Sequence, residues 1–166
     1  LVPVKGVNNG WFEYGRINTD ILYENLMNRF SWTGSSDPDV YLDYYHKRTL
    51  MVVRARLNYA RLAEALAAEG DTARAKEVIN RSLEIFPVSK MGYNFYFSDI
   101  ISACFAAGER EKAIELSRGQ SDYYFERAAY MLDQRPSYAL FAVAEIANSL
   151  QIMLQAMRVC FDNGET

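Results

Sequence analysis

The part of this chain that most constrains its fold is the stretch 56–87, which has the pattern of two helices joined by a tight turn. Small and apolar residues recur there three or four positions apart, as on one face of an α-helix. Gly70 and Asp71 interrupt the pattern, because glycine readily adopts the left-handed conformation that ends a helix. Pro87 ends the second run, since proline does not continue a helix. The predicted inward-facing residues are Tyr59, Leu62, Ala63, Leu66, Ala75, Ile79 and Ser82.

This spacing is typical of the tetratricopeptide repeat, in which two antiparallel helices form one unit. Small residues at Ala63 and Ala75 allow the helices to approach closely. One helical hairpin leaves an apolar face uncovered, so further units are expected. The sequence therefore predicts an all-α fold of tetratricopeptide-like antiparallel helix pairs.

A second unit is predicted over 94–120. The turn Ala-Ala-Gly-Glu at 106–109 resembles the first turn, and Ala113 matches Ala75, an offset of 38 residues (113 minus 75) against about 34 in such repeats. The copy departs from the pattern at Ile101, where a small residue is usual, and at Ser117, where a bulky one is. A degenerate helical pair is expected over 121–161.

The chain before the first unit divides at residue 36. Residues 1–36 are expected to be irregular apart from one short helix near 19–30, and to pack on the main domain. Asp37–Pro38 predicts a helix start, because an aspartate cap followed by proline favours one, and that helix could run to Glu69. Residues 37–166 would then form the helical-repeat domain.

The composition narrows the classes of ligand. The net charge is -3 at pH 7 and the pI is near 5.3. Because nucleic-acid-binding domains are usually strongly basic, we expect no nucleic-acid partner. Cys104 and Cys160 have no zinc-binding spacing, so we expect neither a metal nor a cofactor. Both cysteines are expected to be buried free thiols, with a disulfide as the alternative in an oxidising compartment.

Few residues could support catalysis. His46 is the only histidine, and we expect it on a helix surface. Asp37, Asp39 and Asp43 lack the glycine and distal glutamate of a calcium loop, and acids in a first helical turn favour the helix dipole. No phosphate-loop, zinc-protease or nucleophile-elbow motif occurs. The sequence predicts that this domain is not an enzyme.

Two features favour a binding role. Residues 46–61 contain basic side chains and no acid, which suits either a carboxylate-bearing partner or a solvated face balanced by neighbouring acids. The chain also has 12 tyrosines, which suit either a recognition surface or packing between helices. The basic residues are Lys47, Arg48, Arg54, Arg56 and Arg61.

A groove for a protein or peptide is predicted on the concave side of the two units. Such a surface, half apolar and edged by arginines, suits an extended peptide or a helix. In the alternative, the chain's own segment 121–161 covers it. The groove residues are Leu57, Ala60, Glu64 and Ala67 with flanking Arg54 and Arg61 in the first unit, and Phe95, Ser98, Asp99, Ser102 and Phe105 in the second.

The last helix, expected to end near Phe161, is apolar except for one polar stripe. Apolar patches of more than a few hundred Å² are uncommon on monomers. We expect the N-terminal segment around Trp11–Phe30 to cover this helix, with a second copy of the domain or another part of a longer protein as the alternatives. The apolar face in question contains Leu140, Val143, Ala147, Leu150, Leu154 and Met157.

Three runs in the first half of the chain suggest a family. They are LVPVKG, GRINTDILYENLMNRFSW and DVYLDYYHKRTLMVVRARLNYARLAEALAAEGDTARAKEVINRSLEIFP. Together they resemble the C-terminal region of bacterial multi-pass membrane proteins related to the transmembrane protein O-mannosyltransferases. In that family an integral-membrane, glycosyltransferase-like part precedes a soluble tetratricopeptide-like tail.

The resemblance implies a soluble tail that binds a partner protein, a substrate protein or the membrane part of its own chain, on the extracytoplasmic side, with a cytoplasmic position as the alternative. A start at Leu1 without an initiator methionine fits a piece of a longer protein. The active site implied by the resemblance would lie in the membrane part, so no functional residue is transferred to this chain. The alternative is a small stand-alone tetratricopeptide adaptor.

Overall fold

The computed structural model describes residues 17–45, 51–134 and 136–165. Within these ranges every regular element is helical, which confirms the all-α fold class. The elements are α1 (Thr19–Glu24) with a π-helical turn after it (Asn25–Arg29), α2 (Met51–Ala68), α3 (Thr72–Ile85), α4 (Val88–Met91), α5 (Phe97–Ala106), α6 (Arg110–Leu132), α7 (Pro136–Phe141) and α8 (Val143–Asp162).

Helices α2 and α3 form the first pair, and the short turn between them makes them antiparallel. Gly70 has a φ of 85°, and its N–H donates to the Ala67 oxygen at 3.0 Å. The next N–H, of Asp71, donates to the Leu66 oxygen at 2.9 Å. The Asp71 carboxylate in turn accepts from the Arg74 N–H at 3.0 Å and caps α3. All seven inward-facing residues predicted for this pair are buried.

Helices α5 and α6 form a second pair whose connecting turn has the same hydrogen bonds. Gly108 has a φ of 77°; its N–H donates to the Phe105 oxygen at 3.0 Å, and the Glu109 N–H donates to the Cys104 oxygen at 2.8 Å. Helix α5 also contacts α2 and α3, so the two pairs share one core.

Helix α6 continues through Gly119 to Leu132, although the second unit was expected to end near residue 120. A Cβ atom at position 119 would overlap the hydroxyl of Tyr93. Gly119 therefore allows a close approach of Tyr93 to α6 and does not end the helix.

Helix α8 packs on α6 and α5, and the short α7 contacts both α6 and α8. Ile152 and Ala156 are buried on its inner side, and Ser117 on α6 donates to the Ala156 oxygen at 3.3 Å. In the described part of the chain, no helix has the length and apolar character needed to cross a lipid bilayer.

The N-terminal helix packs on the first pair, where α1 contacts α2. Tyr59 donates from its hydroxyl to the Leu26 oxygen at 2.9 Å, and Tyr23 donates to Glu77 on α3 at 2.5 Å. The prediction that this segment covers the last helix is therefore wrong for Leu22 and Leu26, which join the core of the first pair. Trp11 and Phe12 lie outside the described residues.

The expected helix start at Asp37–Pro38 is also wrong. Residues 38–40 form a turn, and the described part of α2 begins at Met51. The Asp37 carboxylate accepts from the Asp39 N–H at 3.0 Å, and the Asp37 oxygen accepts from the Val40 N–H at 3.2 Å. An aspartate before proline serves a turn as well as a helix cap, because the carboxylate bonds the same nearby N–H groups in both.

Candidate functional site

The predicted groove residues fall into an accessible group and a buried group. On α2, Arg54 is exposed, and Leu57, Arg61 and Glu64 are half-buried at successive three- and four-residue steps. On α5, Asp99 and Ser102 are half-buried, while Phe95 is exposed in the loop before that helix. We call these residues the α2–α5 face: Arg54, Leu57, Arg61, Glu64, Phe95, Asp99 and Ser102.

Most residues of this face correspond between the two helices. Aligning the turns on Gly70 and Gly108 matches Leu57 with Phe95, Arg61 with Asp99, and Glu64 with Ser102. Because α2 and α5 contact each other, matching positions on them contribute to a common surface of apolar, basic and acidic side chains.

Ser98 does not belong to that surface. It is only 1% exposed, and its hydroxyl lies 3.5 Å from Oε1 of the buried Gln120 on α6. The matching residue on α2, Ala60, is fully buried too. Both positions lie on the inner side of their helices, so the prediction that Ser98 and Ala60 line the groove is wrong.

Arg61 connects the α2–α5 face to a cleft between α1 and α2. The cleft has a volume of about 190 Å³. Its walls are apolar at Ile17, Ile21 and Leu22, with amide side chains at their edge. An aliphatic side chain fits such walls, and the guanidinium of Arg61 suits a carboxylate beside it. The complete lining is Ile17, Asn18, Ile21, Leu22, Asn25, Asn58 and Arg61.

Arg56 has a structural position, which the sequence did not distinguish from its basic neighbours. It is 1% exposed; Nη2 donates to the Phe86 oxygen at 2.7 Å and Nη1 to the Gly92 oxygen at 2.8 Å. Its guanidinium also lies 5.1 Å from the ring centre of Phe97. Burial lowers the pKa of Arg56 to about 10, so the group is still protonated at neutral pH. Lys47 and Arg48 lie outside the described residues.

The other polar candidates have local partners or lie outside the described chain. The Asp43 carboxylate accepts from the Tyr45 N–H at 2.9 Å, as Asp37 does from Asp39. Asp37 therefore serves a turn, whereas Asp43 directly precedes the helical residues Tyr44 and Tyr45. Among the described residues, no group of three or more His, Cys, Asp or Glu side chains could hold a metal ion. His46 is not among the described residues.

Both cysteines are free thiols. Cys104 is fully buried, and burial raises its pKa to about 12. Cys160 is half-buried on α8, and its thiol donates to the Ser117 hydroxyl at 3.1 Å. The tyrosines divide similarly, because Tyr124 is buried and donates to the Tyr93 oxygen at 3.3 Å, whereas Tyr44 and Tyr45 are exposed.

An accessible apolar groove lies along α8, the helix that the N-terminal segment was predicted to cover. Leu154 is 66% exposed, and Phe161 is 72% exposed. These side chains border a groove of about 630 Å³ between α6 and α8. Their spacing showed an apolar face, but the periodicity of one helix does not show what covers it. The groove is lined by Ile114, Ser117, Arg118, Ser121, Asp122, Leu154, Met157, Arg158, Cys160, Phe161 and Glu165.

Comparison of the chain with protein-family models, with curated proteins and with solved structures finds no match.

Proposed function

We propose that this chain is a non-catalytic, tetratricopeptide-like interaction domain that binds an extended segment of a partner protein on the α2–α5 face. The observation that carries this proposal is the adjacency of α2 and α5, which present matching accessible positions beside the cleft at Arg61. Surfaces of this mixed character suit peptide recognition, in which apolar pockets and a few charged groups act together.

The two helical pairs support the repeat assignment. Each turn has a glycine with positive φ and the same pair of backbone hydrogen bonds. Each first helix contacts the second helix of its own pair, and the first helices also contact each other. Stacked repeats use this arrangement to build one extended surface from short units.

The chemistry of the face defines the expected ligand. Arg54 and Arg61 favour a carboxylate, and the cleft beside Arg61 favours an aliphatic side chain. We therefore expect a segment that combines acidic and aliphatic residues a few positions apart.

A peptide library displayed on phage tests this expectation directly. Selection on the 166-residue chain should enrich peptides with acidic and aliphatic residues. Arg61→Glu should weaken their binding at least tenfold, because it places a negative charge beside the acidic ligand. Isothermal titration with one enriched peptide gives the two dissociation constants.

The matched control is Arg158→Glu, which reverses a charge on α8 at a residue whose side chain is 82% exposed. This variant should bind the peptide like the unaltered chain, and both variants should keep the thermal midpoint within a few degrees. Equal binding by the Arg61→Glu variant would contradict the proposed site. Failure to enrich any peptide would contradict the proposed function.

We further propose that the domain is the soluble tail of a membrane-embedded, glycosyltransferase-like protein on the extracytoplasmic side. The support is the resemblance of residues 1–87 to such tails. Sequencing the gene upstream of Leu1 tests it, because the tail reading requires a series of apolar spans of about 20 residues each. An open reading frame without such spans would favour the alternative, a stand-alone adaptor.

A further inference from the structure

Helix α8 ends in the same turn as α2 and α5. Gly164 has a φ of 81°, and its N–H donates to the Phe161 oxygen at 3.0 Å. The Glu165 N–H donates to the Cys160 oxygen at 3.0 Å. These bonds repeat those at Gly70 and Gly108, so the three helices can be aligned on the glycines that follow them.

Aligning the three turns on their glycines shows that the exposed side of α8 is buried in the other two helices. Leu154 of α8 matches Ala60 and Ser98, which are fully buried, and Ser98 lies against Gln120 on the second helix α6. Met157 likewise matches the buried Ala63 and Ile101. In both pairs this side of the first helix is covered, whereas among the described residues the matching side chains of α8 are mostly exposed.

The spacing of the open side is that of a helix–helix seam. Its residues alternate four- and three-residue steps, the 3.5-residue repeat by which two helices pack along their length. We call these residues the α8 face: Val143, Ala147, Leu150, Leu154, Met157 and Phe161. Because the α8 face runs along the whole of α8, another helix is the element best suited to cover it.

We propose that the α8 face pairs with the α8 face of a second copy of this chain, with the two helices antiparallel. In this register Leu150 of one copy lies opposite Leu154 of the other, small Ala147 opposite larger Met157, and small Val143 opposite large Phe161. Smaller side chains then face larger ones in two of the three kinds of layer, which makes the layer volumes more even, as close packing favours. A parallel pairing would instead place Phe161 against Phe161 and Ala147 against Ala147, leaving one layer too large and another too small.

The exposed apolar area of α7 and α8 together approaches that of one side of a two-fold dimer. Seven large apolar residues on α7 and α8 are each 46–90% exposed, and Phe141 is the most exposed of them. Together they present on the order of 700 Å² per copy, against a few hundred Å² for patches on typical monomers. A stable interface buries about 800 Å² on each partner. The seven are Leu140, Phe141, Val143, Leu150, Leu154, Met157 and Phe161.

The α8 face is a different surface from the α2–α5 face, and pairing through it does not depend on peptide binding. Sedimentation velocity of the 166-residue chain over roughly 10–300 µM should show a monomer–dimer equilibrium that shifts to dimer with concentration. Leu154→Asp and, separately, Met157→Glu should each leave a monomer, because each would bury an unpaired charge in the seam.

Both residues are mostly exposed in one copy, so the two variants should keep the circular dichroism and thermal midpoint of the folded monomer. The control is Tyr41→Asp, which adds the same charge at an 85% exposed aromatic residue that is distant from α8 in the sequence. This variant should still dimerise. A chain that stays monomeric at the highest concentration, or variants on α8 that still dimerise, would overturn the proposal.

Cross-linking tests the direction of the helices. In a Cys160→Ser background, Gln151→Cys should form an intermolecular disulfide, since position 151 lies near the two-fold axis. Ala144→Cys should not, because the two copies of position 144 would be about 24 Å apart along the helix axes. Equal cross-linking at the two positions would rule out the antiparallel pairing, as would cross-linking at 144 alone.

Discussion

Arg56 and Phe86 are joined by a buried hydrogen bond between a side chain in the middle of α2 and the main chain just after α3. Nη2 of Arg56 donates to the Phe86 oxygen at 2.7 Å, and Nη1 reaches the Gly92 oxygen at 2.8 Å. One guanidinium therefore binds the start and the middle of segment 86–96, which connects the first helical pair to the second. It has carbonyl partners where a buried charge usually has a carboxylate, and its Nε has no hydrogen-bond partner in the described structure.

We predict that Arg56→Met lowers the free energy of unfolding by about 2–4 kcal/mol, because it leaves the Phe86 and Gly92 oxygens without donors in a buried site. Urea denaturation followed by circular dichroism measures the change. Arg56→Lys should be intermediate, since an ammonium keeps the charge but not the forked geometry that reaches two carbonyls.

The matched control for that measurement is Arg54→Met, which makes the same change at an exposed position on the same helix. Exposed substitutions of this kind usually change stability by less than about 0.5 kcal/mol. Equal losses at positions 54 and 56 would show that the carbonyl contacts of Arg56 contribute little.

Gly119 provides a second prediction. Alanine normally stabilises a helix interior by about 1 kcal/mol relative to glycine. Here Gly119→Ala should instead destabilise by about 1–3 kcal/mol, because its Cβ would overlap the hydroxyl of Tyr93. The Tyr93 ring packs edge-on against Phe97, with ring centres 4.9 Å apart, and moving the ring away from position 119 would weaken this contact. Thermal denaturation measures the loss.

Removing the hydroxyl tests the cause. In a Tyr93→Phe background the same Gly119→Ala change should cost less than in the unaltered chain, giving a favourable coupling energy in a double-mutant cycle. Additive effects of the two substitutions would show that Tyr93 is not the obstacle.

The helices of the first pair were predictable because every local preference agrees there. The spacing of Tyr59, Leu62 and Leu66 defines one apolar side of α2, and Gly70 supplies the left-handed turn after it. The buried position of Arg56 was not predictable, because its register on α2 is also compatible with a charged surface. The hydrogen-bond partners of Arg56 are the Phe86 and Gly92 carbonyls, which come 30 and 36 residues later in the chain and are brought to it only by the tertiary fold.

The exposure of the candidate site residues was likewise only partly predictable from the sequence. The accessible positions of Leu57, Arg61 and Asp99 follow from helical periodicity, but Ser98 is buried because α6 supplies Gln120 beside it. Two apolar surfaces, one on the first helical pair and one on α8, could pack against the N-terminal helix. Its sequence alone does not indicate which of the two it contacts. The structure places this helix on the first pair, where the Tyr59 hydroxyl donates to the Leu26 oxygen.

Glu109 should make stability depend on pH. Its carboxylate lies 2.9 Å from Lys76 on α3 and 3.1 Å from Lys112 on α6. Hydrogen bonds from Lys76 and then Lys112 lower the pKa of Glu109 in the folded chain. Its contribution to stability is therefore present above the ordinary glutamate pKa of about 4.3 and is lost as the pH falls through the lowered value.

We expect Glu109→Gln to lower the thermal midpoint at pH 7 and to have a smaller effect at about pH 3, where the carboxylate of the unaltered chain is being protonated. Glu111→Gln removes a carboxylate two residues away on the exposed side of α6 and serves as the control. If the two variants show the same pH profile, the lysine contacts of Glu109 do not link α3 to α6 in solution.

The two thiols should differ in reactivity, because the thiolate is the form that reacts with alkylating agents. Cys104 is fully buried and its pKa is raised to about 12 by burial, whereas Cys160 is half-buried at the edge of the α6–α8 groove. At pH 8 iodoacetamide should modify Cys160 at least 100-fold faster than Cys104, as followed by peptide mass spectrometry, since both low thiolate content and lack of access slow Cys104. In concentrated urea the two rates should converge, because unfolding removes both causes. Similar rates in the folded chain would mean that α5 opens readily, and Cys104 would then no longer mark a stable core between the helical pairs.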